Sequence, residues 1–102
     1  MPAIHVVERL DNLVCVEKDA NEWESGYWKV TEDTARRLVG GAIYLHGGQK
    51  EPSRFGGEIL GYCVQPDGEY AGRIVFRFRS DIRFKSVRAG RGGWGNEKKI
   101  VW

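Results

Sequence analysis

The clearest periodicity lies at residues 73–79, "RIVFRFR", where apolar and charged side chains alternate. A two-residue period predicts a strand. Ile74, Phe76 and Phe78 would face one side, and Arg73, Val75, Arg77 and Arg79 the other. Shorter β-prone runs predict further strands at 13–17 ("LVCVE"), 27–30 ("YWKV"), 42–46 ("AIYLH"), 58–64 ("EILGYCV") and 98–102 ("KKIVW"). One stretch changes period. In "TEDTARRLV", residues 31–39, Ala35, Leu38 and Val39 share a helical face while Arg36 and Arg37 point away. Thr31 is a good N-cap, Glu32 and Asp33 suit the first turn, and Gly40-Gly41 offers a left-handed C-terminal residue.

The intervening segments read as loops. "EKDANEWESG" is polar, with Trp23 out of character. "GGQKEPSRFGG" (47–57) has glycine pairs at both ends. "QPDGEYAG" (65–72) carries the turn dipeptides Pro-Asp and Asp-Gly, and 80–97 is basic and then glycine-rich. The first residues show no pattern, and His5 there carries no expectation. The order β, β, α, β, β, β, loop, β, with short late connections, predicts an α+β domain spanning 1–102. Its sheet would be small, curved and mixed, mainly antiparallel, or closed into a barrel, with one short helix.

Composition sharpens this. The 14 glycines among 102 residues, about twice the usual share, predict many special backbone positions. Residues 1–51 hold 6 Lys/Arg against 9 Asp/Glu, whereas 52–102 hold 10 against 5, which points the second half toward an anionic partner. Cys15 and Cys63 lie in apolar runs and are expected to be buried free thiols. The N-terminus lacks a signal-peptide pattern and no run is long enough for a membrane helix. The expectation is therefore a cytoplasmic protein without membrane contact.

The succession "YWKV", "TEDTARRLV", "GGAIYLHGG" and "GGEILGYCV", within about residues 26–79, resembles the PUA-like superfamily and its EVE, ASCH and YTH branches. The resemblance implies a small barrel with a pocket beside the helix that takes a nucleobase, often modified. Ala42 departs from it, standing where many relatives place an acidic residue.

Several constellations carry candidate chemistry. Trp23, Tyr27 and Trp28 lie within six residues and supply aromatic faces for stacking a base, or else pack the core. Because Tyr27 and Trp28 point to opposite faces of a strand, one belongs to the core and the other to a pocket. His46 ends a strand beside Gly47 and Gly48, as a hydrogen-bonding or acid–base group at the pocket rim. Ser53, Arg54 and Phe55 sit in the loop "PSRFGG", with no GxSxG elbow to make the serine a nucleophile. Trp94 stands between glycines as an anchor or a stacking residue. Arg77, Arg79, Arg83, Lys85, Arg88 and Arg91, interleaved with Phe78 and Phe84, suit a phosphate backbone, or else a solvated sheet face. No metal-ligand spacing and no P-loop are present, so neither metal nor cofactor is expected.

The favoured expectation is a non-catalytic module that binds nucleic acid, RNA in particular, through a flipped or modified base. Trp23 or Trp28 would stack on it beside His46. A small planar ligand fits the same pocket. One alternative is a small enzyme acting on a nucleotide or other small anion through His46, Ser53 and Arg54. The other is an interaction domain or homodimer that uses Trp94 and the "KKIVW" edge.

Overall fold

A computed structural model describes residues 2–8, 12–90, 92–95 and 97–102. Among these, the strands are β1 (Ala3–Val7), β2 (Leu13–Glu17), β3 (Glu22–Trp28), β4 (Ala42–His46), β5 (Ser53–Val64), β6 (Ile74–Ser80) and β7 (Lys98–Val101). Helix α1 (Glu32–Leu38) follows β3, and a 3₁₀ turn covers Ile82–Phe84. The strands form one sheet in the order β2-β3-β6-β5-β4-β1-β7. Every pairing is antiparallel except β1 with β4. This is a small α+β fold with a curved, mainly antiparallel sheet.

One face carries the core. Ile4, Val6, Ile43, Leu45, Ile59, Ile74, Phe76 and Phe78 gather there with Trp28, and α1 adds Ala35 and Leu38. Fully burying a side chain of the Leu or Phe class contributes roughly 1.5–3 kcal/mol, so this cluster holds most of the stability. Helix α1 forms as its sequence requires. The Thr31 hydroxyl accepts from the Thr34 amide at 3.1 Å, and Gly40 supplies φ +88° just past the end. Val39, expected on the buried face, is 42% exposed. It is the C-cap, with extended backbone, and has left the helical register.

Four other expectations are corrected. β1 lacks an alternating signal because four of its five residues are buried, so both of its faces are covered. Trp23 lies in a strand, not a loop. The outward side of β3 is acidic (Glu22, Glu24), while its inward side includes Ser25. Ser25 is buried and accepts a hydrogen bond from the Trp28 indole at 3.0 Å, so a polar-looking string forms a strand. β5 begins at Ser53 rather than Glu58, which leaves a loop of only 47–52. Its Gly57 is required for close approach, since a Cβ there would overlap the Arg79 carbonyl on β6. Finally, Cys15 and Cys63 are exposed rather than buried. Cys15 sits on the edge strand, and Cys63 lies opposite Val75 on the face away from the core.

Candidate functional site

One concavity is a cavity of about 410 Å³, lined by Val7, Glu8, Asn12, Gly26, Tyr27, Trp28, Lys29, Tyr70, Arg73, Glu97 and Lys98. Its walls come from β3 and from β1 and β7, and the sheet order separates β3 from β1 by β6, β5 and β4. Only a strongly coiled sheet brings such strands around one space.

The near wall begins at a bulge. The β3–β6 register shifts between Ser25 and Trp28, so Trp28 returns to the core face opposite Ile74. Tyr27 stacks on Tyr70 at 4.6 Å and 6° between ring planes. Tyr70 is held by the turn joining β5 to β6. There Gly68 and Gly72 adopt φ of +84° and +83°, and the Gly72 amide bonds to Gln65. The Arg73 guanidinium lies 5.8 Å from the centre of the Tyr70 ring, within cation–π range. On the far wall the Val7 amide donates to the Glu97 carbonyl at 2.8 Å, and the Glu8 carboxylate accepts from the Asn12 amide at 2.7 Å. Three rings, three cations (Lys29, Arg73, Lys98) and two carboxylates (Glu8, Glu97) thus surround one cavity. A flat ring would meet aromatic faces, and an attached anion would meet Lys or Arg.

The expected pocket of Trp23, Trp28 and His46 is not formed. Trp28 lines the cavity, whereas Trp23 pairs with Phe78 and stands edge-on to Phe55, ring centres 5.0 Å apart. Its indole donates to Asn21 at 3.3 Å. His46 follows core-facing Leu45 and therefore points through the opposite face of the sheet.

There it joins a second, closed cluster. His46 is fully buried, with Nδ1 2.8 Å from the Glu51 carbonyl and Nε2 2.9 Å from His5 Nδ1. A carbonyl only accepts, so His46 Nδ1 bears hydrogen and donates to it; with a neutral ring its Nε2 accepts from His5 Nδ1, and with a protonated ring the direction reverses. The His5 ring stacks on Tyr44 at 4.6 Å, and Trp94 stands edge-on to His46 at 5.7 Å. Trp94 is thus an anchor, and its indole donates to the Gly90 carbonyl at 3.1 Å. Burial, the neighbouring His46 and the charge of Lys99 push the His5 pKa down to about 4.

Ser53 is also internal. Its hydroxyl donates to the Phe84 carbonyl at 2.6 Å and accepts from the Val87 amide at 2.9 Å, clamping the chain after the 3₁₀ turn. Arg54 is exposed and reaches the Glu8 carbonyl at 3.4 Å, while Phe55 packs between Trp23 and Phe78. His46, Ser53 and Arg54 therefore do not converge on the cavity.

The run of cations is not one basic face. Arg77 pairs with Glu22 at 2.8 Å and lies opposite Glu24, and Arg79 lies opposite Glu22 and Glu58. The acidic outer side of β3 offsets both arginines, which distance along the chain conceals. Arg83 pairs with Asp81 at 2.9 Å, and its hydrogen bonds hold the Asp81 carboxyl below the usual carboxylate range. Lys85 and Arg88 are exposed, and Arg91 lies outside the described residues.

Sequence reasoning missed Lys29, Tyr70, Arg73 and Lys98 as cavity residues. The usable signal was the aromatic Tyr70 inside an otherwise polar turn. Among the described residues, no group of three or more His, Cys, Asp or Glu is placed to hold a metal ion. No helix among them is long and apolar enough to cross a membrane. No family model, curated protein or solved structure matches the chain.

Proposed function

We propose that the protein binds single-stranded nucleic acid, taking one base into the cavity bounded by Tyr27, Trp28 and Tyr70. The observation that carries this reading is the joint placement of three rings and three cations around about 410 Å³, a volume in the range of small-ligand sites. The rings supply stacking, and Lys29, Arg73 and Lys98 meet the flanking phosphates. The resemblance of residues 26–79 to PUA-like domains supports a base-binding pocket, although the rings concerned are partly different ones. The phosphate-facing role passes from Arg77 and Arg79, which face glutamates, to the cavity rim.

The test is titration of a fluorescein-labelled single-stranded oligoribonucleotide at several salt concentrations, with its deoxy counterpart alongside. Three phosphate contacts predict a slope of log affinity on log salt of about −2. Tyr70→Ala is expected to weaken binding by about fivefold to 150-fold, the loss of one base–aromatic stack. Arg73→Gln is expected to lower both the affinity and the salt slope, and Arg77→Gln neither. Absence of binding, salt-independent binding, or equal losses for Arg73→Gln and Arg77→Gln would reject the reading.

A further inference from the structure

Helix α1 carries two arginines with different partners. Arg36 takes both carboxylates of the first turn, Glu32 at 3.9 Å and Asp33 at 3.3 Å. Arg37 is exposed and, among the described residues, makes no ion pair; its guanidinium lies 4.3 Å from the centre of the Trp102 ring. Trp102 is still 56% exposed. A guanidinium at that distance covers one face of the indole, and the exposure leaves the other face to solvent. An open aromatic face backed by an unpaired cation can receive a base on the ring and a phosphate beside it.

The position of this pair relative to the cavity follows from β7. Side chains alternate along a strand, so Lys98, Ile100 and Trp102 share a face. Three contacts agree with that. Lys98 lines the cavity, Ile100 packs against the core cluster, and Trp102 meets α1, which buries Ala35 and Leu38 in the same core. Four steps of strand at about 3.4 Å each set Trp102 about 14 Å from the cavity wall at Lys98. A single strand stacked at about 3.4 Å per nucleotide covers that distance in about four steps, and an extended strand in fewer.

We infer that the open face of Trp102, backed by Arg37, is a second stacking platform for the same nucleic-acid strand, which runs from the cavity along the core-side rim of β7 to α1. The rim offers phosphates a cation at each end, Lys98 and Arg37. The two first-turn carboxylates that would repel them are already paired with Arg36. The platform presupposes the base-binding cavity proposed above.

Fluorescein-labelled riboadenylates of two lengths separate the two subsites. The dinucleotide has a single step and fills the cavity alone, whereas the hexanucleotide reaches Trp102 as well. The parent protein is expected to bind the hexanucleotide about fivefold to 150-fold more tightly, the gain of one base–aromatic stack. Trp102→Ala is expected to remove most of that gain and to leave the dinucleotide affinity unchanged, and Trp102→Phe to keep most of it. Arg37→Gln is expected to reduce the salt slope by about 1 for the hexanucleotide alone. Tyr70→Ala, in contrast, is expected to weaken both lengths. If Trp102→Ala costs nothing at either length, or equally at both, the platform is overturned, and weakening by Tyr70→Ala then leaves the cavity reading standing. If the parent protein binds neither length, both fall.

Discussion

At the scale of single residues, the buried imidazole pair is the most consequential feature outside the cavity. His5 and His46 share one hydrogen bond, and the Glu51 carbonyl holds a hydrogen on the far nitrogen of His46, Nδ1. In the unfolded chain His5 titrates near 6.5, whereas in the fold it titrates near 4. Between these values the unfolded chain holds the extra proton, so acid favours unfolding. The contribution is fully present above pH about 6.5 and lost progressively down to pH about 4, amounting to about 3 kcal/mol at the low end. Urea unfolding across that window is expected to show stability falling with acid. His5→Asn, which cannot titrate, is expected to flatten the dependence. An unchanged slope in the variant would assign the acid sensitivity to other groups. None of this was legible in the sequence, because the pair joins residues 41 positions apart and β1 carried no strand signal.

At the scale of elements, strands with one wet face were readable. The alternation of β6, with Ile74, Phe76 and Phe78 inward, is observed, as are the bounds of β4 and the N-cap of α1. Elements whose two faces depart from the apolar-in, polar-out pattern were not. β1 is covered on both faces, β3 buries a serine, and β5 starts with Ser53, whose hydroxyl is occupied by backbone partners. Glycine was misread most in β5, where it suggests a loop yet permits strands to approach. Gly57→Ala is expected to destabilise the fold by several kcal/mol, because its Cβ would overlap rigid backbone on β6 rather than a movable side chain. Ser53→Ala would leave the Val87 amide without its acceptor, at about 1–3 kcal/mol. Thermal unfolding of the two variants checks the order. A Gly57→Ala protein as stable as the parent would show that β5 and β6 can separate at little cost.

At the scale of the whole molecule, the cavity depends on how the sheet coils. Tyr27 and Trp28 were singled out from the chain, and both line it. Trp23 and His46 were not separable from them by sequence, since the face a side chain takes depends on bulges and pairings that local pattern does not encode. The same geometry yields a prediction independent of any single cavity residue. One wall is the end of β1 with the start of β7, the other is the end of β3 with the β5–β6 turn, and no adjacent strand pair supplies both. A ligand seated between them must oppose uncoiling of the sheet as a whole. Oligoribonucleotide at a hundred times its dissociation constant should therefore raise the unfolding free energy by about 2.7 kcal/mol. For a domain of this size that corresponds to roughly 10–20 °C in the unfolding midpoint. Hydrogen exchange should slow together at the amides of Val7 and Trp28, one on each wall, while exposed amides in β2 keep their rates. Protection confined to one wall would mean that the ligand lies on an outer surface, and the coiled sheet would then owe nothing to binding.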